Sequence, residues 1–136
     1  MTEFGDQTRV LIVDDERVIT DTLVTIFSQC GYETKGAYSA EQALSEMENW
    51  PPELVIIDVL LPAMNGIDLA IRIKAQWPEC HISLFSGQAA TSDLLDMAIN
   101  NGHYFDIIAK PVHPSELLGI AERLLQGSPA AISENN

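Results

Sequence analysis

The sequence predicts an α/β protein in which five parallel strands form one sheet with helices on both faces. Three observations predict it. Short apolar runs recur along the chain, and each is followed by apolar residues spaced three to four apart, the mark of a helix. Two of the runs, Val10-Leu11-Ile12-Val13 and Leu54-Val55-Ile56-Ile57, are continuous rather than alternating, as a strand covered on both faces requires. Polar residues follow four of the runs: Asp14-Asp15, Asp58, Ser86 and Lys110. Parallel strands bring such ends to one edge of a sheet, and in open α/β sheets that edge binds ligands.

The elements follow in order. Arg9 to Val13 is a buried strand that delivers Asp14 and Asp15. From Val18 the spacing of Ile19, Leu23, Ile26 and Phe27 predicts a helix, stopped by Gly31. Glu33 to Ala37 is short and partly polar, an edge strand. Ser39 and Gln42 form an S-x-x-Q capping box for a helix that buries Ala43, Leu44 and Met47. Pro51-Pro52 ends it and feeds the strand that carries Asp58. After Pro62, Asn65-Gly66 is a turn signal. Leu69, Ala70, Ile73 and Trp77 mark a third helix, closed by Pro78. His81 to Phe85 is a strand ending in Ser86-Gly87. Thr91 or Ser92 caps a fourth helix with Leu94, Leu95 and Ala98 inside, ended by Asn101-Gly102. Asp106 to Ala109 is the fifth strand, ending in Lys110-Pro111. Pro114 opens the last helix, which buries Leu117, Leu118, Ala121, Leu124 and Leu125. One domain over residues 9–126 is expected, with flexible termini at 1–8 and 127–136.

Composition narrows the function. A chain of 136 residues with 46% hydrophobic residues suits one good core. Seven basic residues against twenty acidic ones, a net charge of -13, argue against direct contact with nucleic acid or an anionic membrane. No apolar run reaches membrane-spanning length, and Met1 to Thr8 lacks a signal pattern, so a cytoplasmic protein is expected. Cys30 and Cys80 form neither a disulfide framework nor a zinc motif and are read as reduced packing residues. His81, His103 and His113 lack metal-ligand spacing. His113 is read as a loop residue at a helix start, and Trp50 and Trp77 as packing residues near helix ends.

The chemistry follows from charge. Three crowded carboxylates repel, and one protonates unless a cation intervenes. Carboxylate oxygens suit Mg²⁺, which keeps several waters and often a phosphate oxygen. A lysine ammonium and a serine hydroxyl can each bond a phosphoryl oxygen. A carboxylate can also be the nucleophile and form an acyl phosphate.

The residues Val13-Asp14-Asp15-Glu16, Asp58-Val59-Leu60-Leu61-Pro62 with Asn65-Gly66, Ser86-Gly87 and Lys110-Pro111 occur in order and at suitable intervals. In them the chain resembles the response-regulator receiver domain of two-component signalling, from about Arg9 to Leu125. The resemblance implies a flavodoxin-like (βα)5 fold of strand order 2-1-3-4-5. It implies Asp58 as phosphoacceptor, supplied by a histidine kinase or histidine phosphotransfer protein. It implies Mg²⁺ held by Asp15, Asp58 and the backbone carbonyl of Leu60, with Asp14 acting through a metal-bound water. Lys110 would pair with the phosphoryl group and Ser86 would be the switch hydroxyl, with Glu16 a neighbour of lesser claim. The signal would pass through the fourth helix, fifth strand and fifth helix, roughly Thr91 to Leu125. The recipient would be a downstream protein target, a fused output domain or a second copy in a phosphorylation-dependent homodimer.

One position departs from the family. Three residues before the lysine it usually has Tyr or Phe, and here stands Ile107. Either Tyr104 or Phe105 replaces that aromatic, or Ile107 packs in the core and the switch runs without one; the second is the expectation. Two other functions compete. A Mg²⁺-dependent phosphohydrolase with an aspartate nucleophile usually carries an acid two residues after it, where this chain has Leu60. A phosphorylation-independent binding module would not need the acidic set with Lys110. The lack of G-x-G-x-x-G after the first strand argues against a dinucleotide-binding domain.

Overall fold

The computed structural model describes residues 7–87, 96, 99, 102, 105–109 and 112–126. The described elements are, in order, β1 (Arg9–Val13), α1 (Arg17–Gln29), β2 (Glu33–Ala37), α2 (Ala40–Asn49), β3 (Leu54–Asp58), α3 (Gly66–Gln76), β4 (His81–Ser86), β5 (Asp106–Ala109) and α4 (Pro114–Leu125). The sheet order is β2-β1-β3-β4-β5, and all four pairings are parallel. This is the flavodoxin-like order expected, with β2 at the edge. Most of the fourth helix, expected from Thr91 or Ser92 to Asn101-Gly102, lies outside the described residues, as do the two terminal segments 1–6 and 127–136. Within 88–101, Asp96 and Ile99 are described as helical and exposed.

The strands alternate between two cores, which is why β1 and β3 are apolar throughout. Leu11, Val13, Val55 and Ile57 join the cluster that contains Ala43, Met47, Leu69 and Ile73 from α2 and α3. Val10, Ile12, Leu54 and Ile56 join Leu23 and Phe27 of α1 and Leu117 and Ala121 of α4. Every residue of β3 is buried. A fully buried Ile or Leu contributes roughly 1.5–3 kcal/mol, so β3 is a rigid base for the residue at its end.

Several helix boundaries differ from expectation for local reasons. Asn65-Gly66 is a helix start rather than a free turn: Asn65 caps α3, its side-chain oxygen accepting from Asp68 N–H at 2.9 Å. Ser39 caps α2 through Gln42 N–H as expected, but the Gln42 side chain reaches past it to Tyr38 N–H at 2.8 Å. The stripe of α1 also shifts. Val18 is 79% exposed, and Thr20, Leu23 and Phe27 are its buried residues. Gly31 ends that helix region at φ 100°, where its N–H and that of Tyr32 cap the last turn. His113 does stand at the start of α4: its Nδ1 accepts from Ser115 N–H at 3.1 Å, and Pro114 follows as expected.

Cys80 is buried, but Cys30 is exposed and does not pack. Trp50 is buried at the end of α2, and Trp77 packs against the α2–α3 core. None of the described helices is long and apolar enough to cross a membrane.

Candidate functional site

The register of the sheet builds the site. Val13 is paired with Ala37 on one side and Ile57 on the other, so the next residues, Asp14 and Asp58, leave neighbouring strands at the same edge. Asp15 follows in the turn to α1. Carboxylate oxygens of Asp14, Asp15 and Asp58 lie within 4.8 Å of one another. Asp14 and Asp58 are buried and Asp15 is exposed, so the group opens to solvent on one side.

Backbone groups hold the acids. Asp14 N–H donates to Ala37 O at 3.1 Å, and Glu16 N–H donates to Asp14 Oδ1 at 2.9 Å. The Thr20 hydroxyl donates to the Asp14 carbonyl at 2.6 Å. Leu60 N–H donates to Asp58 Oδ1 at 3.4 Å. Val59 N–H bonds Phe85 O at 3.0 Å, and Gly66 N–H bonds Val59 O at 2.8 Å, which ties the segment after Asp58 to β4 and α3.

Charge then decides what the pocket needs. Two unit charges held at the 4.8 Å limit repel by about 3.5 kcal/mol at an effective dielectric of ~20. Repulsion of that size among three neighbouring carboxylates favours a cation beside them. An all-oxygen, acidic donor set that is open on one side suits a hard divalent ion that keeps water ligands.

The other expected residues are placed as follows. Ser86 is the last residue of β4, one beyond Phe85, the partner of Asp58, and is half-buried. Lys110 lies outside the described residues; β5 ends immediately before it, at Ala109, the partner of Ser86. Leu60 projects a side chain that is 45% exposed beside the pocket. Glu16 is the N-cap residue of α1, its side chain makes no capping bond, and it is not in the three-carboxylate group.

Ile107 overturns an expectation. It is 45% exposed and does not pack in the core. Ile108 takes the buried position of β5, and alternation along a strand turns Ile107 the other way. Ile107 lines a groove of about 410 Å³ with Val112 and Ile120, flanked by Glu116 and Arg123. Phe105, which immediately precedes β5, packs against the α2–α3 core. Tyr104 lies outside the described residues.

Two features had not been read from the sequence. Thr20 is polar and so falls out of an apolar pattern, although its spacing to Leu23 and Phe27 continues the buried stripe. Arg17 lies 4.0 Å over the Tyr38 ring, whose hydroxyl donates to Asp21 at 2.6 Å. That bond to a carboxylate, more than burial, pushes the Tyr38 phenol above its ordinary range.

A doubly wound α/β sheet with a carboxylate cluster at its carboxyl edge defines a class of acidic-pocket proteins, and comparison with known proteins narrows it. The family model of the response regulator receiver domain matches residues 10–122. The chain belongs to that family. A CheY-like receiver domain protein from Methanospirillum hungatei superposes with a TM-score of 0.80 at 30% identity, over 89% of this chain and 95% of that one. The receiver domain of NtrX from Brucella abortus does so with a TM-score of 0.76 at 36% identity, over 88% and 99%. The DNA-binding transcriptional regulator NtrC of Azospirillum brasilense is 30% identical over 125 residues, 90% of this chain and 26% of that protein. The chain spans between about a quarter and a half of the curated relatives it matches, 26% of NtrC and 51% of a probable transcriptional regulator from Picosynechococcus.

Proposed function

We propose that residues 9–126 form a phosphorylation-switched receiver that takes a phosphoryl group onto Asp58 from a histidine kinase or histidine phosphotransfer protein, with Mg²⁺. The observation that carries the reading is the convergence of Asp14, Asp15 and Asp58 within 4.8 Å at the carboxyl edge of the sheet. Bound Mg²⁺ would neutralise charge on the carboxylates and the phosphoryl oxygens. Asp15, Asp58 and the Leu60 carbonyl would hold it, and Asp14 would act on it through water. An Asp58 oxygen attacks phosphorus; the bond to the donor nitrogen breaks, and the imidazole keeps the electron pair and takes up a proton. Lys110 holds a phosphoryl oxygen, and Ser86 is the hydroxyl drawn toward the new group.

Phosphorylation adds about -1.5 to -2 charge at Asp58, which must bias a two-state surface to signal. In this reading the surface runs over roughly residues 91–125 and meets a downstream target, a fused output domain or a second copy. The DNA binding stated in NtrC's name is not proposed for residues 9–126, because this chain carries a net charge of -13. The Leu60 side chain cannot transfer a proton, which disfavours a phosphohydrolase.

Intact mass after incubation with a small phosphodonor and Mg²⁺ tests the reading. One added phosphoryl group is expected on the wild type and none on Asp58→Ala. Equal uptake by both sinks the assignment, and turnover of added phosphomonoesters favours the hydrolase. Phe105→Leu and Tyr104→Leu test the aromatic replacement: phosphorylation-dependent binding unchanged in both removes it.

A further inference from the structure

We propose that Thr20 is a positioning residue for the acidic pocket: its hydroxyl fixes the main chain from which Asp14 and Asp15 project, and so sets the pocket's affinity for a divalent cation. The inference rests on the reading of that pocket as a Mg²⁺ site.

A threonine in a helix ordinarily bonds back to the carbonyl four residues earlier. Thr25, on the same helix, does so, its Oγ1 donating to Asp21 O at 2.9 Å. Thr20 does not. Its Oγ1 leaves the helix and donates to Asp14 O, six residues back, at 2.6 Å, and the residue is fully buried. Asp14 N–H is bonded to Ala37 O of β2. Residue Asp14 is thus gripped at its N–H from the sheet and at its carbonyl from α1. Its carboxylate is held separately by Glu16 N–H.

The Thr20 side chain is itself confined. A Cβ on Gly36 of β2 would come 2.5 Å from the Thr20 Cγ2 methyl and 3.2 Å from Val24 Cγ2. The absent side chain at Gly36 is the space the methyl fills, so the hydroxyl is directed at Asp14. Mutual repulsion pushes the three carboxylates apart when no cation is bound. A main-chain anchor opposes that spreading and keeps the ligands placed for the ion. Outer partners of this kind are worth ten- to a hundredfold in metal affinity.

Titration calorimetry of the full chain with Mg²⁺ tests this, with urea unfolding measured separately in the absence of metal. Thr20→Val keeps the shape and removes the hydroxyl; Mg²⁺ binding weakened by about tenfold is expected. Thr20→Ser keeps the hydroxyl, and its affinity should match the wild type. A Thr20→Val chain that is less stable yet binds Mg²⁺ as the wild type does overturns the proposal, since Thr20 is then only structural. Thr20→Ser as weak as Thr20→Val also overturns it. Should Thr20→Val not fold, Gly36→Ala displaces Thr20 by contact with its methyl and should weaken Mg²⁺ binding. Gly36→Ala with Thr20→Ser, which lacks that methyl, should restore it. Equal affinities for those two chains overturn the proposal. Wild type that binds no Mg²⁺ is a different result, and it defeats the reading of the pocket itself.

Discussion

Gly66 rests directly on the carbonyl oxygen of Asp58. A Cβ at Gly66 would overlap that oxygen and stand 2.8 Å from Val59 Cα. Gly66 is also the first residue of α3, and its N–H bonds Val59 O at 2.8 Å. The helix therefore starts against the back of the residue that ends β3. The requirement here is space, not a left-handed backbone, since the described glycines with positive φ are Gly31 and Gly102.

Gly66→Ala should destabilise the protein by about 1–3 kcal/mol, because the obstacle is backbone, which cannot rotate aside. A lowered urea midpoint with unchanged slope is the expected result. The displaced Asp58 main chain should also slow phosphoryl uptake. An unchanged midpoint would show that α3 can back away at little cost.

Ala63 lies between Asp58 and α3 at φ 68°, in the left-handed region. A residue with a Cβ is strained there by roughly 1–2 kcal/mol. Ala63→Gly relieves that strain and adds some entropy to the unfolded chain. A net gain of up to about 1 kcal/mol is expected, read as a raised urea midpoint. A lower midpoint would mean that the loop gains more from the methyl group than the strain costs.

Ser83 sits buried in β4, and among the described residues its hydroxyl has no hydrogen-bond partner. Burying an unsatisfied hydroxyl costs about 1–3 kcal/mol. Ser83→Ala should therefore stabilise the fold, against the usual direction of core substitutions. Thermal melts of the two chains decide it, and a fall in Tm for Ser83→Ala refutes the prediction.

The two cysteines should differ in reactivity. Burial pushes the Cys80 thiol up to about 12, partly offset by Lys74, whereas Cys30 is exposed. At pH 8 iodoacetamide should add once to the native protein, on Cys30, and twice in denaturant. Cys30→Ser should leave the native chain unlabelled. The folded-state value lies above the unfolded one, so the stability contributed by the neutral thiol is present below pH 9 and lost as pH rises from there toward 12. Alkaline unfolding should be weaker in Cys80→Ala than in the parent.

Much of this was legible in the chain. β1, β3 and β5 fall where apolar runs place them, β2 falls on the short, partly polar stretch expected at an edge, and Asp14, Asp58 and Ser86 stand at strand ends as their positions indicate. Burial acts on each residue separately, so it leaves a local period that can be read. Ile107 was read wrongly because its neighbour Ile108 is equally apolar, and only the facing of the strand selects which is buried. Asn65-Gly66 was read as a turn because the same pair serves as a cap when a helix follows.

By itself the sequence determined the alternation of strand and helix, the two-sided burial of β1 and β3, and the acidic, polar character of the strand ends. These rest on short-range periodicity and residue chemistry. The tertiary structure alone decided that β1 lies beside β3, which brings Asp14 and Asp15 against Asp58 from more than forty positions away in the chain. It likewise decided that the Thr20 hydroxyl turns to Asp14 and that Gly66 has no room for a side chain. Each of these is a contact between elements, and it exists only once the helices have packed onto the sheet.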